Sequence, residues 1–279
     1  MFDSNPFAGI SASISPGLMQ GYLILMVVLV VAGTLFDVVH KGSARYFFDA
    51  LRKTKNKGER AVGGGEMASL ALKTGVVDVL ASGEFCNPHR RIAHLLTMYG
   101  FVMYVITTLI MVFGYPTPAT ATPALVTALW WIGALMVCVG GYWFWFFIRV
   151  DVAAEGGSPW RVMRADLFVL SLLASVTLGL IWGVLQAMGS AGATAVFGLY
   201  ILATTVLFAG VPWSKFAHMF FKPAAAFEKR LSKANGSAAN LPTQSRDDPE
   251  QQAKHSMELL RDAPMNMGLG IKREAPRHY

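Results

Sequence analysis

Two histidines stand where imidazoles are rare. His94, in RRIAHLLTMYGF, and His218, in WSKFAHMFFKP, each lie just inside an apolar stretch and close to cations. The other histidines, His40, His89, His255 and His278, fall at aqueous boundaries or in a polar C-terminal segment. An ionisable side chain within a membrane span is costly and therefore a functional candidate by default. At ~1.5 Å per residue, His94 lies about one turn in from Arg91 and His218 about one turn in from Lys222. Two imidazoles at matched depth on facing helices are what a bis-histidine haem, its plane along the membrane normal, requires. Such coordination leaves no open iron position and suits electron transfer. Arg90, Arg91 and Lys215 would then meet the propionates at the aqueous edge. The small residues Ala93 and Gly100 would let a macrocycle approach the backbone. Spacing alone leaves a second reading open, two unrelated interfacial histidines that snorkel or cap.

The elements that must hold such a pair are membrane helices. The chain has 279 residues, 54% hydrophobic and only 15% charged, with a mean hydropathy of +0.44. Soluble domains carry roughly 25% charge, so the composition predicts an integral membrane protein. The first apolar run is long enough to span and has no cationic n-region, so it is not expected to be a cleaved signal. Five spans are expected, at about 18–39, 92–114, 123–148, 165–188 and 194–221. Each reaches roughly 20 residues or more, enough for a ~30 Å hydrocarbon core, and each must be helical to satisfy its own backbone. Cys86 and Cys138 lack metal-site spacing, and no ferredoxin-type cysteine run exists, so any iron–sulfur centre would belong to a partner.

Charge gives the expected orientation. Residues 1–17, 115–122 and 189–193 contain no lysine or arginine. The 41–91 connector carries ten, Arg149, Arg161 and Arg164 follow the third expected span, and eleven more begin at Lys215. All 24 cations thus fall on one side of a five-span chain, and that side is the cytoplasm. The expectation is an all-α integral membrane protein of the inner (cytoplasmic) membrane. It is a five-transmembrane-helix bundle with the N-terminus outside and the C-terminus cytoplasmic. Residues 1–17 form a periplasmic N-terminus, 18–222 the membrane domain with its cytoplasmic loop 41–91, and 223–279 a flexible cytoplasmic tail. The net charge of +7 is explained by topogenic and lipid-headgroup charges, and no nucleic-acid partner is needed.

In the 41–91 connector, 45–57 reads as a basic interfacial helix, Gly63–Gly65 as its break, and 66–80 as helix again. The connector serves either as a solvated loop or as a docking platform. After Pro223 the tail has an amphipathic stretch over 224–231, then a polar linker. Its end, 257–279, regains methionine and leucine, as a tethered docking peptide would. Asp37 and His40 at the end of the first span, and Asp166 beside Arg164 at the start of the fourth, are candidates for quinone and proton chemistry. Boundary anchoring, and for Asp166 the dipole of its own helix, are the simpler accounts. The aromatic run 142–147, YWFWFF, reads as an interfacial belt or a quinone-ring pocket. Met98 and Met103 are packing residues. A small transporter would show Gly/Pro-broken helices and internal repeats, marks this chain lacks.

Three stretches carry a family resemblance. WSKFAHMFFKPAAAF resembles the last-span signature of the gamma-subunit family of respiratory nitrate reductase, and RADLFVLSLLASVTLGLI resembles its fourth span. The run VVDVLASGEFCNPHRRIAHLLTMYGFVMYVITT is similar to the second-span region of relatives of heterodisulfide-reductase type and of the quinone-interacting complex that serves adenylylsulfate reductase. The resemblance covers roughly residues 18–230. It implies a five-helix membrane cytochrome b that exchanges electrons between the quinone pool and a cytoplasmic iron–sulfur or flavin oxidoreductase, with adenylylsulfate reductase as a candidate partner. His94 and His218 match its cytoplasmic-side ligand pair. The nitrate-reductase subunits carry a second histidine pair, ten residues after the first ligand and eighteen before the last. Here those positions are Tyr104 and Tyr200, so the resemblance implies one haem b rather than two. A haem-free structural anchor for the same partner is the alternative.

Overall fold

The apolar stretches form helices because a chain in hydrocarbon must satisfy its amides within each segment. A computed structural model describes residues 4–40, 43–83, 85, 87–153, 156–214 and 218–238, and all regular structure among them is helical. In chain order the helices are α1 (Pro6–Gly9), α2 (Pro16–His40), α3 (Ser43–Asn56), α4 (Gly64–Lys73), α5 (Pro88–Leu109), α6 (Ala124–Trp143), α7 (Val150–Ala153), α8 (Leu167–Ala187), α9 (Ala193–Ala209) and α10 (His218–Ala234). Helices α4, α5 and α6 continue into wider π turns over Thr74–Leu80, Ile110–Gly114 and Phe144–Ile148.

Among the described residues four stretches are long and apolar enough to cross a membrane: Pro16–His40, Pro88–Gly114, Ala124–Ile148 and Arg164–Ala187, of 25, 27, 25 and 24 residues. They lie where four of the five expected spans lie, and they make this an all-helical, multi-pass membrane protein. The fifth apolar segment differs. Helix α9 has 17 residues, about 25 Å at ~1.5 Å each, and ends at Gly210. A single 3₁₀ turn, Val211–Trp213, follows. Pro212 lacks the amide that would continue the α-helical ladder. The helix expected to run unbroken over 194–221 is thus two helices with a turn between them.

The chain divides into two compact units, one made of Met1–Lys41 and Ile92–His218, the other of Gly42–Arg91 and Met219–Tyr279. In the first, α5 and α6 touch through small residues. A Cβ on Gly100 would sit 2.7 Å from the Gly133 carbonyl oxygen, and one on Gly140 would sit 2.6 Å from that of Ala93. Close backbone approach of this kind is how helices gain van der Waals contact in lipid, where no hydrophobic force draws them together. Hydrogen bonds join the remaining helices. Ser175 meets Thr204 at 2.7 Å between α8 and α9, and Tyr142 meets Thr177 at 2.8 Å between α6 and α8. Tyr22 on α2 donates to the Ile201 carbonyl of α9 at 3.1 Å.

The N-terminal residues are part of this core. The Asn5 side chain accepts from the amides of Phe7 and Ala8, capping α1. Its Nδ2 donates to the Tyr115 carbonyl and to Thr122, both at 3.0 Å. Phe7, Ala8 and Ile10 are buried. The sequence expectation of a plain periplasmic N-terminus did not anticipate this. The signal was Asn5-Pro6, a cap residue followed by proline at the first helical position.

The second unit joins the connector to the start of the tail. Helix α3 is amphipathic, and its fully buried Thr54 donates to Glu228 of α10. Asn235 donates to the Thr54 carbonyl at 2.8 Å, and its own carbonyl accepts from the amides of Glu59 and Arg60. Arg230 grips Asp78 with two N–H groups. Gly236, at φ 77°, turns the chain after α10, a conformation glycine adopts without strain. The helices expected near 45–57 and 66–80 are present. Pro223, expected to open the tail, lies inside α10 and removes one hydrogen bond near its start. The proposed docking peptide 257–279 lies outside the described residues.

If backbone contact at Gly100 organises the first unit, Gly100→Val should cost about 1–3 kcal/mol through overpacking. The loss is measurable as a lower unfolding midpoint in detergent. Gly114→Ala, with nothing within 4 Å of its absent Cβ, is the matched control and should leave the midpoint unchanged.

Candidate functional site

Helix α5 opens with a strong local stop-and-start signal. The Asn87 side chain accepts from the amides of His89 at 2.9 Å and Arg90 at 3.4 Å, and Pro88 is the first helical residue. His94 follows within the apolar stretch Pro88–Gly114 and is half-buried. His218 is the first residue of α10, past the turn that ends α9. Its backbone is therefore not inside the apolar helix, as the sequence reading expected. The His218 side chain and all of Lys215 lie outside the described residues.

The other expected site residues have definite places. Gly100 and Ala93 are buried against α6. The room on α5 expected for a macrocycle is therefore occupied by the backbone of α6, and Gly100 is a helix-packing residue. Arg91 directs Nε to the Ala81 carbonyl at 2.8 Å, and Arg90 is half-buried. Asp37 is buried on α2, and the exposed His40 stacks on Phe36 with centroids 4.7 Å apart.

Asp166 is held by Arg149 at 2.7 Å and accepts the Met163 amide at 2.9 Å. Arg149 also donates to the carbonyls of Pro159 and Arg161 and lies 3.9 Å over the Trp145 ring. The cation beside Asp166 is thus Arg149 and not the expected Arg164, because the π turn after α6 brings Arg149 into the loop ahead of α8. Both charges are almost wholly buried, and leaving either unpaired costs about 3–5 kcal/mol. Asp166 therefore reads as a structural residue of the α6–α8 connection. Along the run 142–147, Trp145 is buried beneath Arg149 and Phe147 is exposed, so the run divides between core and belt.

The most organised polar contact between the candidate helices is Tyr104 with Tyr200. The Tyr104 hydroxyl donates to that of Tyr200 at 3.2 Å, and both rings are buried. Tyr104 lies 5.2 Å from Trp130, and Trp182 stacks on Tyr200 at 5.7 Å with 10° between planes. Phe197 and Phe7 lie against Trp182 at 4.8 and 4.9 Å. Trp130 donates to Thr108 at 3.0 Å, and Thr108 donates to the Tyr104 carbonyl at 2.7 Å. A Cβ on Gly179 would come within 2.5 Å of the Tyr104 hydroxyl, so only glycine leaves space for that group. Sequence reading named the two tyrosines but not the rings around them. The signal was three tryptophans, Trp130, Trp131 and Trp182, within two apolar stretches.

The same contacts set the register of α5 against α9. Tyr104 meets Tyr200, and Phe101 lies 6.5 Å from Phe208. Earlier residues of α5 thus meet later residues of α9, as antiparallel neighbours do. Continued toward the start of α5, this register sets His94 level with about residues 210–214, where α9 has given way to the turn.

A double-mutant cycle with Tyr104→Phe and Tyr200→Phe should return a coupling of about 0.6 kcal/mol, the usual size for a hydrogen bond between membrane helices. Unfolding in mixed detergent would measure it, and a coupling of zero would show the contact to be absent in the folded protein. No protein-family model, curated protein or solved structure matches the chain.

Proposed function

We propose that this chain is the membrane subunit of an electron-transfer complex. It holds one haem b through His94 and His218 and links the quinone pool to a cytoplasmic iron–sulfur or flavin oxidoreductase, adenylylsulfate reductase being the best single partner by resemblance. The observation that carries the reading is the contact between Tyr104 and Tyr200. The resemblance to the nitrate-reductase gamma-subunit family pairs those two positions across the second and fifth expected spans, and in this chain they meet. The same register runs from that contact toward His94 on one side and the turn before His218 on the other.

The donor chemistry on α5 fits: His94 is a half-buried imidazole within an apolar helix. Gly100 offers no room for the ring, so the haem would lie off the α6-facing side of α5. Bis-histidine coordination would supply one-electron transfer without an oxygen site. Arg90, Arg91 and Lys215 would neutralise propionates. The rings packed around Tyr104 and Tyr200 fill the level at which relatives carry their second ligand pair, which supports a single haem. Asp37 and His40 remain the quinone candidates, whereas Asp166 is committed to Arg149. The second reading is a haem-free anchor for the same partner. It is favoured by one observation, the position of His218 beyond the turn that ends α9.

Reduced-minus-oxidised and pyridine-haemochrome spectra of the purified protein separate the two readings. One haem b per chain is expected, lost in His94→Ala and in His218→Ala and retained in Tyr104→Phe. A haem-free protein supports the anchor, and two haems per chain refute the ligand assignment.

The five-span topology belongs to the same proposal. At 17 residues α9 is at the short end of the spanning range, and the one-sided cations support N-terminus out and C-terminus in. Reporter fusions at residues 10 and 240 should report opposite sides of the membrane. The same side for both would mean an even number of crossings.

A further inference from the structure

We propose that α3 carries a binding stripe for anionic phospholipid headgroups, formed by Arg45, Phe48, Arg52 and Lys55. These residues are spaced by three, four and three positions, which at 3.6 residues per turn sets them along one line of the helix. All four are exposed, and Phe48 retains 63% of its surface. The opposite face carries Phe47, Ala50, Leu51 and Thr54, all less exposed than the stripe. Thr54 holds that face in place through Glu228 and Asn235. The less exposed side of α3 is thus turned toward its own unit and anchored there by Thr54, and the cationic side is left outward. The helix has a single acidic residue, Asp49.

Chain length fixes what this stripe can reach. Helix α2, long and apolar enough to cross a membrane, ends at His40, and α3 begins at Ser43. The tether between them extends to at most about 11 Å. Helix α3 therefore starts no further than that from the point where α2 leaves the hydrocarbon, which is the headgroup layer. Each cation near an anionic leaflet strengthens binding about fivefold, and an aromatic ring among headgroups sits at the level such rings favour. Charge complementarity and this short covalent link to α2 commit the site to anionic phospholipid rather than to an acidic protein.

The test uses the full-length protein in detergent, titrated with phosphatidylglycerol or phosphatidylcholine, with bound lipid counted by native mass spectrometry. Wild type should retain phosphatidylglycerol in preference to phosphatidylcholine. The triple variant Arg45→Gln/Arg52→Gln/Lys55→Gln should lose about tenfold or more of its phosphatidylglycerol affinity and none of its phosphatidylcholine affinity. Arg45→Lys/Arg52→Lys should retain binding, and Asp49→Lys should strengthen it. Lys53→Gln/Lys57→Gln removes cations from the same segment but off the line, and should change little. A triple variant with wild-type phosphatidylglycerol affinity overturns the proposal, whatever acidic protein it fails to bind. Equal losses in the triple and the off-line variants overturn it too, since they would reduce the effect to net charge.

Discussion

Contact between the backbones of α5 and α6 is the constraint on which the rest of the first unit depends. Gly100 and Gly133 leave no gap between the two helices, so α5 cannot rotate about its axis without a clash. The buried residues Ala93, Gly100 and Tyr104 of α5, with Met111 in the π turn that continues it, form one stripe. With that stripe fixed against α6, Tyr104 can point only into the bundle, toward Gly179 and Tyr200. His94 lies one residue off the stripe, and the same rotation that buries Ala93 leaves the imidazole half-buried. The exposure of that imidazole is therefore set by two glycines elsewhere along the helix contact.

The two units solve opposite solvent problems. In the first, lipid is as apolar as leucine, so burial alone holds nothing together. Cohesion comes from close glycine contacts, hydroxyl pairs such as Ser175 with Thr204, and large rings in mutual contact around Trp182. In the second, an ion pair and a buried hydrogen bond close the structure: Arg230 with Asp78, and the Thr54 hydroxyl donating to Glu228. A buried Glu228 without the Thr54 hydroxyl would bear an unmet desolvation cost. The sequence encodes both solutions, the first in glycine and aromatic spacing and the second in pairs separated by more than 150 residues.

Hydropathy made four spanning stretches legible to within about four residues, because length and apolarity report directly on hydrocarbon thickness. It overran the end of the fifth apolar helix, which stops at Ala209. Val211, Pro212 and Trp213 are apolar enough to extend a hydropathy window, yet proline ends the hydrogen-bond ladder there. The amphipathic pattern of 43–56 announced α3, but nothing local announced that its buried face belongs to α10. Long-range partners such as Thr54 and Asn235 leave no mark in a single sequence. At the candidate site His94 was legible as a histidine within an apolar stretch, whereas the placement of His218 at the start of α10 was not. The role of Gly100 was not, since a glycine that admits a ligand and one that admits a helix look alike in sequence. Asp166 was legible as a helix-start carboxylate, but its cation, Arg149, follows from a π turn that no pattern foretells.

The buried N-terminal segment imposes an order of assembly. Phe7 is made before both of its ring partners, Trp130 and Trp182. At about 5–20 residues per second, roughly 10–35 s of synthesis separate Phe7 from Trp182. Throughout that interval Phe7, Ala8 and Ile10 have no final place to go. The segment can dock only after α8 has been made, so it waits for residues translated well after it.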